Sequence, residues 1–548
     1  MQSAISRGVV VWLCVLTLAL AARAGSVHIG KAEYGYYAPQ IHEMYLKLPV
    51  TVDPVGGEEG FYPRSVEIDG KRAPYVYFYF NGTTVDFRPV PHASQGKIEL
   101  FVPVHWQANE QHEIALNYTL NDKTDQEKAT LPTPKTGGAW AGATDNYAFL
   151  VREEAGLARA NEPVDFDLTV EQDRFPDPEK RIRATVMTAP GVFREIPCQV
   201  YDVQPVSQEH GMYSHLPLYR FRAVVELSMK SKSRALVHLW TCPPRETPAT
   251  GSISLEGGAL GGTVSNDAYQ IKLDETCGQF HTWYDKRLQV KFEYKDTRQE
   301  VTGNQAVIHR TPDMYRANAP WTHALDWVKP ANRVIIGPVM VETLRWGDMP
   351  GAPEVFSKVD YRFFANRPEI RAISSLRVTK DTETLGVRMG GFILTPSLFT
   401  HIAWPEQDGT IKRCTVPDAL GNDMGAPPQS RFPVNTPWVV VYHREKKYGF
   451  ALITANLAYF SDGPGHANET RQQAYVSNYR GYGVYSIRAV TQTYCAWFRS
   501  YHTPIEAGTT MYEDVAYLPF TFTREDRKQF DPVWALWKEM KNPLVIEP

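Results

Sequence analysis

Apolar and polar residues alternate with a period of two along most of this chain, the signature of strands that bury one face. Between Val27 and about Asn121 the segments MYLKLPVTV, YVYFYF, TVDFRPV and IELFVPV follow this rule and are separated by turn-rich pieces, which predicts a first β-sandwich. The stretch Leu120 to Gly142, LNDKTDQEKATLPTPKTGGAWAG, has no such period and reads as a linker or long loop. Alternation returns in YAFLV, VDFDLTV, IRATVM, IPCQVYDV, YRFRAVVEL and RALVHLW, a second sandwich-sized unit that closes at Cys242-Pro243-Pro244. After the joint GGALGG, Gly257 to Gly262, strands such as AYQIKL, LQVKFEY, VDYRFF, WVVVYH and YGFALITA continue to about Thr523 without a strong helical pattern. Only the tail departs. From Arg524 to Lys541, Phe530, Trp534, Trp537 and Met540 recur at three- and four-residue spacing, predicting a helix that straps the β domain with its aromatic stripe. The expected domains are residues 25–131 and 143–256 as sandwiches joined by a linker over 132–142, a large β domain over 257–523, and a helix with its tail over 524–548. No repeat of solenoid or propeller period is present.

Length and composition narrow the function classes. The chain has 548 residues, 43% hydrophobic and 22% charged, with 38 Gly, 40 Pro and 29 Tyr, proportions that suit strands joined by turns. Lys and Arg number 58 against 61 Asp and Glu, so the basic bias that phosphate-backbone binding requires is missing and nucleic acid is not an expected partner. Residues 1–24, MQSAISRGVVVWLCVLTLALAARA, place one basic residue before an apolar run and end on Ala22 and Ala24, the pattern of a secretory signal peptide cleaved before Gly25. No later stretch is apolar enough to span a membrane, so a secreted or periplasmic mature chain is expected. Five cysteines, Cys198, Cys242, Cys277, Cys414 and Cys495, remain after cleavage; without a C-x-x-C they do not read as a zinc ribbon or thioredoxin site, and buried thiols or one or two disulfides are expected. Sequons occur at Asn81, Asn117 and Asn468.

Four segments carry a resemblance. NEPVDFDLTV with REIPCQVYDV and YRFRAVVEL, then VSNDAYQIKLDETCGQFHTWYDKR from Val264 to Arg287, PEIRAISSLRVTK, and NTPWVVVYHREKKYGFALITA resemble the C-terminal β region of α-mannosidase-type glycoside hydrolases and the wider galactose-mutarotase-like supersandwich superfamily. The β domain of polysaccharide lyases is similar. The resemblance covers about residues 155 to 525 and implies a mostly β fold: two N-terminal β-sandwiches, a galactose-mutarotase-like supersandwich and a short C-terminal helix. It also implies a carbohydrate context, with a polysaccharide or oligosaccharide as partner, but a fold does not fix a chemistry. Residues 26–130 contain no H-x-D zinc motif and read as strands, so mannosidase activity is not carried over. The helical toroid of uronate lyases has no counterpart either.

Two polar, aromatic segments hold the candidate chemistry. HRTPDMYRANAPWTHALDW contains His309, Arg310, Asp313, Tyr315, Arg316, Trp321, His323, Asp326 and Trp327. Flat aromatic faces suit sugar rings and arginine forks suit uronate carboxylates, so Arg310, Tyr315, Arg316, Trp321 and His323 are expected to bind substrate. SDGPGHANETRQQAYVSNYRGYG contains His466, Arg471, Tyr479, Arg480 and Tyr482. β-Elimination needs a neutralised carboxylate, a base for the C5 proton and an acid for the leaving oxygen, roles that His466, Tyr479, Tyr482 and His309 could share with Arg471 and Arg480 as binding groups. Trp404 in HIAWPEQDG is a further binding candidate, and His281 and Tyr284 lie in a hairpin that could face the sugar. A packed loop whose arginines and aspartates pair, or tyrosines that merely cover strands, would produce the same segments. A hydrolase needs two carboxylates at a defined separation, which sequence does not place, and no G-x-S-x-G elbow occurs. No cofactor is expected and no metal spacing stands out. The leading expectation is an exported protein acting on a complex or acidic polysaccharide, by β-elimination if catalytic. The alternatives are a non-catalytic glycan-binding or cell-surface scaffold protein, and a glycoside hydrolase or sugar mutarotase.

Overall fold

The computed structural model describes residues 24–33, 44–52, 62–72, 77–80, 96–104, 111–119, 143, 145–189, 192–206, 217–244, 251–295, 306–310, 312–316, 321–416, 431–433, 436–460, 473–479, 483–492, 503–505, 507–526 and 528–547. The chain divides into two compact units. One comprises Met1–Pro134 with Ala148–Val151 and Val545–Pro548, and the other Lys135–Tyr147 with Arg152–Leu544.

In the first unit the described strands form two antiparallel sheets. Ala24–Glu33, Gln111–Thr119, Tyr62–Ile68 and Lys71–Arg72 lie side by side in that order, and Met44–Val52, Gly96–Val104 and Tyr77–Phe80 make the second sheet. Asp69 and Gly70 close the Ile68 to Lys71 hairpin with φ of 50° and 72°, the left-handed pair that a two-residue turn between twisted strands demands. The expected signal peptide, residues 1–24, lies outside the described residues except for Ala24.

The second unit opens with the other sandwich. Leu218–Met229 is central between Cys198–Val206 and Arg159–Glu171, and Ile182–Ala189 pairs with Val192–Ile196 and Arg234–Thr241. Beyond the glycine joint come three larger sheets. Ser254–Glu256, Thr263–Ser265, Tyr269–Leu273, Phe280–Asp285 and Val290–Glu293 form a five-stranded meander. A nine-stranded antiparallel sheet runs in the order Ala331–Ile336, Met340–Met349, Ala352–Phe364, Ile370–Val378, Thr510–Thr521, Tyr448–Phe460, Trp438–His443, His401–Pro405, Ile411–Thr415. A seven-stranded sheet runs Trp321–His323, Asp313–Arg316, Thr382–Leu394, Gly483–Gln492, Gln473–Tyr479, Arg431–Phe432, with Thr503–Ile505 paired to Thr382–Leu394. Apolar residues from all three sheets meet in one core: Ile271 and Trp283 from the meander, Met314, Val387, Met389 and Phe392 from the seven-stranded sheet, Tyr361, Val515 and Tyr517 from the nine-stranded one. Among the described residues the chain is therefore mostly β, with two N-terminal sandwiches, a supersandwich and one substantial helix.

That helix spans Asp531–Lys541. Phe530 at its N-terminus, Val533 and Leu536 are buried with Trp438, Tyr442, Phe520 and Phe522 on the other face of the nine-stranded sheet, and Trp534, Trp537 and Met540 pack against the same cluster. The stripe is read correctly from its spacing, but the helix starts seven residues after Arg524, at Asp531, followed by Pro532 in the first turn, where the missing N–H of proline is harmless. Cys242 and Cys277 are buried, Cys198 and Cys414 are half-buried, and Cys495 lies outside the described residues.

Candidate functional site

Both polar segments contribute strands to the seven-stranded sheet. The first folds into a hairpin in which Asp313 faces His323, Met314 faces Thr322 and Tyr315 faces Trp321. Asp313 in turn faces Arg388, Arg388 faces Ala489 and Ala489 faces Gln473, so one line across the sheet joins His323 to the strand Gln473–Tyr479 of the second segment. Two strands intervene, and three inter-strand steps of about 4.8 Å separate the two segments by about 14 Å. Alternation decides which side chains share a face. Met314, Val387 and Met389 are buried in the apolar core, so Asp313, Tyr315 and Arg388 project from the opposite face.

On that face Asp313 is fully buried and carries the geometry. Arg388 grips it as a fork, Nε donating to Oδ1 at 2.7 Å and Nη2 to Oδ2 at 2.6 Å. His323 Nδ1 stands 3.2 Å from the same Oδ2. Burial pushes the Asp313 carboxyl up, but the Arg388 charge and the neighbouring His323 ring outweigh it and hold the group below its ordinary range. Asp326 goes the other way: burial raises it despite the His323 charge, the His323 N–H and Arg310, and Asp313 raises it further. Its Oδ2 accepts the backbone N–H of His323 at 3.0 Å, closing the short 3-10 turn Ala324–Asp326. Arg310 lies with its guanidinium carbon 5.5 Å from the ring centre of Tyr294.

This arrangement suits proton transfer. A carboxylate on Nδ1 selects the tautomer in which Nε2 carries the lone pair and steadies the imidazolium that forms when Nε2 takes a proton. The two carboxyls are pushed in opposite directions, Asp313 below and Asp326 above its ordinary value, so they differ in their readiness to hold a proton. Among the described residues no group of three or more His, Cys, Asp or Glu side chains is placed to hold a metal ion.

The other expected site residues are dispersed. Tyr315 is half-buried in the hairpin, while Arg316 and Trp321 are located there by backbone register. Tyr479 ends its strand opposite Gly483. His466, Arg471, Arg480 and Tyr482 lie outside the described residues. His309 and Trp404 have no exposed surface. His309 Nδ1 is 2.6 Å from the Tyr361 hydroxyl and its ring stacks on Phe280, a place inside the core rather than on a substrate face. Trp404 donates from Nε1 to Glu406 at 3.0 Å, with Phe432 and Lys412 against its ring, so the faces a sugar would need are covered. Arg388 escapes sequence reading. It sits in TLGVRMGGF like any outward residue of an alternating strand, and the one hint is a charge flanked by glycines at Gly386 and Gly390.

No family model matches the chain, and no curated protein matches it. Solved structures do. The chain is similar to a protein of glycosyl hydrolase family 38 from Enterococcus faecalis, at 10% identity with a TM-score of 0.41 over 77% of this chain and 49% of that one. An α-mannosidase from Enterococcus faecalis gives 10% identity and a TM-score of 0.43 over 77% and 47%. A galactose mutarotase-like protein from Lactobacillus casei gives 9% and 0.29 over 49% of this chain and 100% of that one. The chain spans about half the length of the first two. Proteins of the α-mannosidase and galactose-mutarotase-like kinds, two of the three that the sequence resembles, are among the structures it is similar to.

Proposed function

We propose that this chain is an exported carbohydrate-active protein whose site is the outer face of the seven-stranded sheet around His323, Asp313 and Asp326, and that it cleaves an acidic polysaccharide by β-elimination. The observation that carries the reading is the buried Asp313 carboxylate shared by Arg388 and His323. The reading rests on that geometry and not on the likeness to other structures. His323 Nε2 takes the C5 proton of a uronate, the electron pair forms the C4–C5 double bond, the C4–O bond breaks, and the leaving oxygen takes its proton from Asp326. Arg310 supplies the cation for the uronate carboxylate, and Tyr315 supplies aromatic surface for the rings. The leader-like residues 1–24 support export.

The test is to incubate the mature chain with uronate-containing and neutral polysaccharides while following the ultraviolet absorbance of unsaturated uronate and the reducing ends together. Absorbance should grow with wild type and fall by about 100-fold or more in His323→Ala, the scale of a lost acid–base group. Reducing ends without absorbance would mean hydrolysis and redirect attention to the Asp313 and Asp326 carboxyls. Tight oligosaccharide binding with neither signal would leave the chain a glycan-binding protein, and turnover indifferent to His323 would remove this site from the chemistry.

A further inference from the structure

We infer that Glu513, on the far sheet, is a positioning residue for this site: its carboxylate reaches through the core and pins the glycine bulge that aims Arg388 at Asp313. The inference rests on the reading that the His323–Asp313–Arg388 row is the functional site.

Arg388 occupies an unusual stretch of strand. Met389 faces Arg488 and Phe392 faces Ser486, so Gly390 and Gly391 together oppose the single residue Ile487. On its other side the register slips again, Val387 facing Thr491 while Arg388 faces Ala489, which leaves Val490 extra on the neighbouring strand. Irregularities on both sides bend the strand and break the ladder that would otherwise orient the arginine. Gly390 adopts φ of 57°, a left-handed conformation that glycine takes without penalty. Its N–H no longer points into the regular ladder, and something else must accept it.

Glu513 does so. It is fully buried on the strand Thr510–Thr521 of the nine-stranded sheet, and its Oε2 accepts the Gly390 N–H. Tyr517, four residues along the same strand and on the same face, donates its hydroxyl to the Gly391 carbonyl at 3.0 Å. The bulge is also held from the side that carries the site. Ile393 N–H donates to Ile308 O at 2.9 Å and His309 bridges Phe392, which brings the segment Ile308 to Arg310 alongside the bulge. His309 Nε2 stands 3.7 Å from Glu513 Oε1 while Nδ1 meets Tyr361. Glu513 therefore faces the backbone behind Arg388 and the side chain that precedes Arg310, two of the site's cations. A buried carboxylate is a costly way to fill an apolar core. Here it serves an N–H that no regular strand partner satisfies, two residues from the guanidinium that holds Asp313.

The experiment compares wild type with Glu513→Ala, Glu513→Gln and Tyr517→Phe, reading the Arg388 Nε–H resonance by NMR, assigned with Arg388→Lys, alongside turnover of the polysaccharide. Glutamine keeps an oxygen for the Gly390 N–H. If Glu513 positions Arg388, Glu513→Ala and Tyr517→Phe loosen the fork on Asp313 and move that resonance toward the position of a solvent-exposed arginine, while Glu513→Gln keeps the wild-type position. Turnover falls about tenfold in the first two variants and is retained in the third. An Arg388 resonance unmoved in both loosening variants overturns the inference. If Glu513→Ala does not fold, Tyr517→Phe, which loses one hydroxyl, decides it. A resonance that moves in a protein with no turnover leaves the positioning role standing and sinks the lyase reading alone.

Discussion

Asp313 illustrates what burial demands of a charge. Its carboxylate is tolerable inside only because Arg388 and His323 occupy both oxygens, so removing the arginine strands an anion in low dielectric. Arg388→Ala should cost about 3–5 kcal/mol, read as a lower urea midpoint, and Asp313→Asn in the same chain should recover part of that loss. A recovery of nothing would show that the pair is not what holds this region. Cysteines make a second residue-scale prediction. Burial, with the nearby Asp274 charge, pushes the Cys277 thiol up to about 12, and Cys242 is buried too, whereas Cys198 and Cys414 are only half-buried. Reactivity follows exposure and thiolate fraction; alkylation of the folded protein followed by mass spectrometry should label Cys198 and Cys414 first. At this scale the polar segment that holds Arg310, Asp313, His323 and Asp326 stands out in sequence because these residues lie within seventeen positions of one another. Arg388 and Glu513 do not, since each acquires its role from a partner 75 and 123 residues away.

Elements repay their local patterns, but their ends are decided elsewhere. The C-terminal helix buries the stripe its spacing predicts, and its last carbonyls are met by a buried arginine from the second sandwich: Arg159 donates to Asn542 O at 2.5 Å and to Glu539 O at 3.4 Å. A cation at a helix C-terminus also suits the macrodipole. The same guanidinium pairs with Glu153 at 3.2 Å and Glu162 at 2.9 Å, and Arg367 reaches Glu539 at 2.7 Å. Arg159→Ala would leave two carboxylates without their cation and release the helix end, so a loss of about 3–5 kcal/mol is expected. Thermal unfolding followed by tryptophan fluorescence would register it, because Trp534 and Trp537 pack on that helix. No change in midpoint would mean that the apolar stripe alone secures the helix. Sequence reading finds the stripe but not the clamp, because Arg159 lies 380 residues from the helix that it caps.

For the whole molecule, acid and base act on different parts. Four backbone and side-chain donors, from Lys232, Leu157, Arg159 and Gly156, overcome burial and draw Glu153 down to about 2. Its folded value lies below its unfolded one, so its contribution is present above about pH 4.5 and is lost as pH falls toward 2. Asp360 and Glu162 have the opposite sign. Burial, reinforced by Glu342 beside Asp360 and by Glu539 beside Glu162, lifts each to about 7 against the pull of Arg362 and Arg159. A raised acid binds its proton more tightly when folded, so their contribution is full below the unfolded values and drains as pH rises toward 7. Denaturation midpoints across this range should therefore decline between about pH 4 and 7 on account of these two groups, and Asp360→Asn should flatten part of that decline. An unaltered slope would exclude Asp360 as its source. What the sequence by itself determined is the class of the molecule: period-two alternation, turn residues and one helical stripe are properties of neighbouring residues, and they specify strands, sandwiches and a final helix wherever they occur. Only the tertiary structure decided which polar residues meet. Register across the seven-stranded sheet set His323, Asp313 and Arg388 in one row, and packing of the sheets buried His309 and Trp404 while sending Glu513 to the bulge behind that row. Those outcomes depend on contacts between segments far apart in the chain, where the alternation of any one strand carries no information about its neighbour.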